Sequence, residues 1–384
     1  MAEPYDIVVA GGGLIGAALA LGLRDSGFKV ALLEAQPRAA VVDDARTIAL
    51  SYGSRLILER LGVWQSLTAI TPIDHISISQ QRGFGRVELH AAEARVPALG
   101  YVAGYTALQH ALTTAVRQSE VRVMAGCAAV AVKGDADSAA VTVDCGGARQ
   151  ELRAQLVAIA DGGANLGPAY LETRDYHQSA VVCDVVSGQS HQNCAYERFT
   201  PEGPLALLPT ERGQALIWTA ATQRAQELAA LPDAEFCAQL RAGFGSKLGA
   251  FRLLGPRRVF PLVLKYAARP IAPRSVLIGN AAQTLHPVAG QGFNLGLRDA
   301  WELAHAIISR GRGDPGARAL LDAFLSQRRP DRTATILFTD SLIRLFSKDI
   351  PLFNHARAVG LVALANLPPA KNLLARRMMF GVRG

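Results

Sequence analysis

The chain has 384 residues, half of them apolar and 19% charged, with a net charge of +8. That excludes a disordered chain and allows two or three domains with ample core. The five cysteines, Cys127, Cys145, Cys183, Cys194 and Cys237, show no C-x-x-C pair and no regular spacing, so neither a disulfide framework nor a metal site is expected.

In chain order, "DIVVA" reads as a short buried strand and Gly11-Gly12-Gly13 as a tight turn. Leu14 to Ser26 repeats apolar residues at helical spacing, and "KVALLE" is a second strand. "YGSRLILERLGVW" and "TALQHALTTAVRQ" read as helices. "DHISISQ", "VRVMAG", "AAVTVDC" and "LVAIADG" read as strands. From Gln178 to about Leu264 the period is mostly two, with turns at "PEG" and "ERG" and one predicted helix at "DAEFCAQLRAGFG". After "SVLIGN" the pattern is helical to the end. The order is a nucleotide-type βαβ start, a block of sheet, then a return to βα. An α/β dinucleotide fold with an inserted β-sheet fits this better than two domains in tandem.

No basic leader precedes the strand that opens at Tyr5, so no secretory signal is expected. No uncharged apolar run reaches the roughly 18 residues of a bilayer span. The expected location is cytoplasmic in a reducing compartment, with peripheral attachment at the inner membrane left open.

Gly11-x-Gly13-x-x-Gly16 lies between a predicted strand and helix. There the first glycine permits the turn, the second lets backbone approach a pyrophosphate, and the third lets helix pack on strand. The helix start, at Leu14 and Ile15, supplies N–H donors. Glu34 ends the second strand, where a carboxylate accepts from a ribose diol and opposes a 2′-phosphate. This turn alone serves NAD or FAD equally.

A second glycine-rich strand-to-helix passage supplies Gly279, Asn280, Ala281, Ala282, Pro287, Gly290, Gln291, Gly292, Asn294, Gly296 and Asp299. It resembles the second flavin segment of the class A FAD-dependent aromatic hydroxylases, whose fold is that of para-hydroxybenzoate hydroxylase. Asn280 stands for the usual Asp and Gln283 for the usual His. The variant "GNAAQTLHP", with "DDARTIALS", "LGVWQSL", "YERFTPEGPLALLPT", "EFCAQL" and "TDSLIRLF", is similar to the ubiquinone-biosynthesis branch that hydroxylates 2-polyprenyl-6-methoxyphenol.

The resemblance implies an FAD-binding domain of residues 1–75, 100–175 and 270–345, a substrate-binding β-sheet domain of 76–99 and 176–269, and a helical segment of 346–384. It implies that backbone N–H groups of Gly290, Gln291, Gly292, Phe293 and Asn294 face the flavin N1/C2=O edge, where only small residues let backbone come close. Gly279 and Asn280 would meet the ribityl chain, and Pro287 the ring face. Arg46 would bind pyrophosphate; its other reading is a surface ion pair with Asp43 or Asp44. Gln109 falls near a Gln that the family uses on flavin, and Tyr105 stands where an Arg is usual. Asp161-Gly162 matches the family's D-G segment, with Asn165 and Pro168 as departures. His286 reads either as a proton-transfer group or as a residue orienting the loop.

The implied reaction has reduced FAD, with NAD(P)H as electron donor, take O2 to a C4a-hydroperoxide and pass one oxygen to an electron-rich phenol ring. Absence of a G-x-S-x-G elbow or an H-E-x-x-H fits chemistry carried by a cofactor. Alternatives are a sister hydroxylase at another ring position, a hydroxylase of a small soluble phenol, an FAD-dependent reductase, or a flavin-free assembly factor. From Ile350 onward, Arg357, Lys371, Arg376, Arg377 and Arg383 stand without an acid. That tail reads as a packed helix pair with a basic face, or as a surface for anionic lipid or a partner subunit. Nucleic acid is not expected, because no aromatics interleave the basic residues.

Overall fold

The computed structural model describes residues 4–37, 46–81, 83–163, 166, 171–346 and 351–382. Asp43, Asp44, Asn165, Pro168 and Arg383, named above, lie outside the described residues.

Two large sheets organise the chain. The first has eight strands, and its parallel part runs Ser275–Leu277, Ala148–Ile159, Tyr5–Ala10, Val30–Glu34, Arg122–Ala125. Ile7 to Ala10 are wholly buried, because helices cover one side of this sheet and strands the other. That is why they read as an unbroken apolar run. Leu19 of the helix Leu14–Gly22, Leu108 and Leu112 of Tyr105–Arg117, and Leu297 and Leu303 of Gln291–Ile308 form the core on the helical side. Antiparallel strands Cys127–Gly134 and Ala139–Cys145 close the other side through Val141 and Val143.

One expectation about the cysteines is overturned here. The register of those two strands sets Cys145 opposite Cys127, and the pair forms a disulfide. They lie 18 positions apart in sequence. The pairing comes from strand register, which irregular cysteine spacing does not show. Cys183, Cys194 and Cys237 are free thiols.

The second sheet has nine strands, ordered Gln283–Thr284, Arg258–Ala267, Leu171–Ser187, Gly213–Ala221, Pro204–Thr210, Cys194–Phe199, His75–Gln80, Arg86–His90, with Phe251–Leu253 beside Leu171–Ser187. One face carries Val181, Leu205, Leu216 and Trp218, which pack on Phe236 and Leu240. Two helices cover that face, Thr222–Ala230 and Asp233–Phe244, where the periodicity predicts one. The first is only nine residues long, and Pro232 separates the two. The opposite face looks toward the nucleotide-type sheet. Thr47–Ser51, Gly100–Gly104 and Thr71–Ile73 make a separate three-stranded sheet.

The helix Arg318–Phe346 packs behind Gln291–Ile308 through a buried ionic network. Arg298 pairs with Asp331 at 2.8 Å, and Arg328 pairs with Asp299 at 2.8 Å and Asp331 at 2.9 Å. Gln283 donates to Asp299 at 2.6 Å and accepts from Arg332 at 2.5 Å. The backbone N–H of Val382 also donates to Asp331, so the end of the chain is tied into this network.

Pro351–Asn366 and Pro368–Phe380 are not a free appendage. Leu361, Ala375 and Met379 join Val87, Leu89 and Leu99 in one apolar cluster. Among the described residues no single helix is long and apolar enough to cross a membrane; one bent pair, 357–366 and 368–380 at 96°, reaches that apolar length together.

Burial raises the Asp331 carboxyl, but Arg298 and Arg328 beside it outweigh burial and hold it below its usual value. An acid with a lowered folded value contributes stability above its unfolded value, near about 3.9, and loses it as pH falls through the folded one. Asp331→Ala should cost about 3–5 kcal/mol at pH 7, because buried Arg298 loses its ion-pair partner and buried Arg328 loses one of its two. Urea unfolding at pH 7 checks this; a change below about 1 kcal/mol contradicts it.

Candidate active site

A cavity of about 810 Å³ lies between the two sheets. Its lining includes Gly11, Gly13, Leu14 and Ile15 from the first turn, and Glu34 from the end of the second strand. It includes Arg46, Gln109, Asp161 and Asn280 along its length, and His286, Pro287, Gly290, Gly292 and Phe293 at the second glycine-rich loop. Two stretches about 270 residues apart in sequence therefore share one groove.

Each end presents an uncapped helix start. Leu14–Gly22 and Gln291–Ile308 have glycine N-caps, no side-chain cap and no acid in the first turn. Their first N–H groups lack intrahelical partners and carry the positive end of the helix dipole. A Cβ at Gly16 would run into the carbonyl of Gly11, whereas one at Gly13 would meet nothing within 4 Å. Gly16 thus serves packing, and Gly13 opens to the cavity. Glu34 uses Oε1 to accept the N–H of Gln36 at 2.7 Å. These groups suit a ligand with a diphosphate near one helix start and a polar planar ring near the other.

Some expected residues lie off the cavity. Gly279 has φ +59 and is buried against Ile15, so its role is close packing. The Gln291 side chain turns away to the carbonyls of Ala289 and Met378. The Asn294 amide is filled on both sides. It donates to Ala49 and Gly290 carbonyls at 2.9 and 2.8 Å, and accepts from Ser51 N–H and Ser54 Oγ at 2.8 and 2.7 Å. Neither side chain is available to a ligand.

Arg46 lies over the rings of Tyr105 and Phe260, at 5.0 and 5.7 Å to the centroids. Asp161 accepts from the N–H groups of Gly163 and Leu166 at 2.9 and 3.2 Å, which shapes the loop beside the cavity. His286 is 1% exposed. Its Nδ1 accepts the Val288 N–H at 3.2 Å, so the neutral ring carries its proton on Nε2, which is buried without a partner. Burial pushes the imidazole down to about 4. Tyr176 packs edge-on to the ring at 5.6 Å. In this state His286 is a hydrogen-bond donor, not a base.

The apolar stretches "SAVVCDVV", "LALLP" and "ALIWTAA" read from sequence either as the lining of a substrate channel or as plain core, and part of each lines the cavity. Ala180, Val182, Leu208, Ile217, Phe260 and Leu262 line the cavity. Strand register places them on one face of the nine-stranded sheet. Period-two alternation signals such a face, but not which side of the sheet meets the cavity. Among the described residues, no group of three His, Cys, Asp or Glu side chains is placed to hold a metal.

Residues 4–339 match the family described as FAD binding domain, and the chain belongs to it as an FAD-binding flavoprotein monooxygenase. It is 35% identical to ubiquinone hydroxylase UbiL of Rhodospirillum rubrum, over 97% of this chain and 89% of that one. It is 31% identical to 3-demethoxyubiquinol 3-hydroxylase of Escherichia coli, over 94% and 95%. Within the class A aromatic hydroxylases the chain therefore sits in the branch that holds these relatives. The crystal structure of p-nitrophenol 4-monooxygenase PnpA from Pseudomonas putida shares the fold, with a TM-score of 0.79 at 18% identity over 100% of both chains.

The two glycines separate binding from folding. Gly16→Val should lower both the melting temperature of the apoprotein and its FAD content. Gly13→Val should leave the apoprotein melt within about 2 °C of wild type, since ΔΔG would be under 1 kcal/mol, yet weaken FAD binding at least about tenfold. Thermal melts and the flavin-to-protein absorbance ratio report both; equal behaviour of the variants would contradict the assignment.

Proposed function

We propose that this monooxygenase hydroxylates the ring of a polyprenylated phenol, of the 2-polyprenyl-6-methoxyphenol kind, in ubiquinone biosynthesis. The observation that carries the reading is the apolar wall of Ala180, Val182, Leu208 and Ile217, which lines the same cavity as Pro287. The names of the two relatives support the same substrate class. The 3-hydroxylase name of the second supports an alternative ring position for the same reaction.

Bound FAD would supply the oxygen chemistry, with NAD(P)H as electron donor. The protein's own part is to bind, orient and dry the site. The helix starts at Gly13 and Gly290 would take the diphosphate and the polar ring edge, through N–H groups that their helices leave free. Glu34 would accept from ribose hydroxyls with its second oxygen. Arg46, Gln109, Asp161 and Asn280 would bind along the middle of the cofactor, and Pro287 would flank the ring. The unpartnered Nε2–H of His286 would donate to a phenolic oxygen and orient it. The apolar wall would exclude water.

The substrate's long apolar tail gives the C-terminal helices a purpose. Val359, Val362, Leu367 and Leu373 are exposed around the bend between them, with Arg376 and Arg377 exposed nearby. Apolar side chains with adjacent cations suit an anionic membrane surface.

With 18O2, NAD(P)H and a prenylated methoxyphenol, the product should gain one labelled oxygen. Removing the prenyl tail should raise KM at least about 100-fold, since each buried methylene contributes about 0.8 kcal/mol. Unlabelled product, or equal KM for the tail-less phenol, argues against the reading. The full-length protein should float with phosphatidylglycerol vesicles, and a Leu367→Asp/Leu373→Asp variant should not. Point changes are needed because Ala375 and Met379 belong to a core cluster. Equal flotation of a folded double variant removes the membrane proposal.

A further inference from the structure

Arg46 meets aromatic rings from both sides of the cavity. It precedes the strand Thr47–Ser51, whose register sets Thr47 opposite Gly104, and the Arg46 carbonyl accepts the N–H of Tyr105 at 2.8 Å. Its backbone is therefore fixed beside the start of helix Tyr105–Arg117. Its guanidinium carbon lies over the Tyr105 ring at 5.0 Å and over the Phe260 ring at 5.7 Å. Tyr105 packs on the helical side of the nucleotide-type sheet, whereas Phe260 belongs to the nine-stranded sheet, on strand Arg258–Ala267. There Phe260 lies directly opposite Ala180, so no bulky side chain stands across that strand pair from the ring. All three side chains line the cavity.

Arg46 is exposed. An exposed arginine ordinarily spreads over many rotamers, and selecting one of them costs entropy at the moment of binding. A cation over a ring face is attracted by the ring's quadrupole, and here two rings act on one guanidinium. Rings hold a cation without cancelling its charge, as a carboxylate would. A guanidinium held in this way can still donate in its own plane to the paired oxygens of a diphosphate.

We infer that Tyr105 and Phe260 are positioning residues: they set the Arg46 guanidinium in place for the diphosphate of FAD, so that a ring of the substrate-side sheet contributes to cofactor affinity through Arg46. This rests on the reading that Arg46 binds the cofactor. The backbone hydrogen bond to Tyr105 fixes where the side chain starts, and the two rings fix where it ends. A role for Phe260 confined to the apolar wall would act on FAD affinity equally with or without Arg46. A positioning role disappears with the cation.

The test is a double-mutant cycle on the full-length apoprotein, read as FAD affinity by quenching of flavin fluorescence. It needs neither phenol nor turnover. Phe260→Leu should weaken FAD binding about threefold, and Tyr105→Leu about as much, the loss of one cation–π contact at an exposed site. Phe260→Tyr and Tyr105→Phe keep the ring and should bind within about twofold of wild type. Arg46→Ala should weaken binding at least about tenfold, and Phe260→Leu should then add nothing. A fall of equal size in both backgrounds, or no fall in a folded Phe260→Leu protein, overturns the inference and leaves Arg46 as a cofactor ligand. Wild-type affinity in Arg46→Ala overturns the placing of Arg46 on the cofactor, and the inference with it. Thermal melts of the apoproteins establish folding; if Phe260→Leu does not fold, the same cycle with Tyr105→Leu decides by the same outcomes.

Discussion

The close packing of two helices from opposite ends of the chain governs everything else. Ile15 of the first helix sits against Gly279, and Gly296 of the helix Gln291–Ile308 approaches both. A Cβ at Gly296 would lie 3.0 Å from the Gly279 Cα, and one at Gly22 would lie 2.9 Å from the Ala304 Cβ. Backbones can come this near only where side chains are small. The approach brings two uncapped helix starts to one groove. Without it there would be two separate anion-attracting turns and no seat for a ligand that needs both.

That approach is held from behind. Arg298, Arg328 and Arg332 with Asp299, Asp331 and Gln283 form a nearly dry network between the helix Gln291–Ile308 and its neighbour Arg318–Phe346. Such groups lose much solvation, so their value lies in geometry as well as energy: each charge tolerates only the arrangement that satisfies it. Asn294 does the same on the other side, joining the helix to Ala49, Ser51 and Ser54 with all its polar atoms in use. The helix Gln291–Ile308 is thereby fixed along its length, while its first turn keeps N–H groups that no intrahelical carbonyl takes.

The nine-stranded sheet completes the site by having two different faces. One is a conventional apolar core under two helices. The other is divided between wall residues over the cavity and Phe199, which packs with Val288 of the loop before the helix Gln291–Ile308. The two sheets thus meet at the second glycine-rich loop. His286 Nε2 and Glu197 Oε1 are each buried without a hydrogen-bond partner.

Much of this was legible in the residues. The turn at Gly11–Gly16, Glu34, and the strand-to-helix passage from Gly279 to Gly296 follow from local spacing, because a chain that must approach a phosphate or a ring closely can do so with few residue types. Period-two alternation marked the inserted sheet for a similar reason. What lay beyond it depends on which distant strands and helices meet. The Cys127–Cys145 disulfide and the place of Glu197 come from strand register. The packed state of the C-terminal helices comes from contacts with Val87 and Leu99. The turning of Asn294 and Gln291 into the structure comes from partners far away in sequence. The amino-acid order by itself determined the two glycine turns and the class of ligand they invite, since backbone sterics act within a few residues; tertiary structure alone decided how they face each other and which polar groups remain unpaired between them, since those depend on contacts across hundreds of residues.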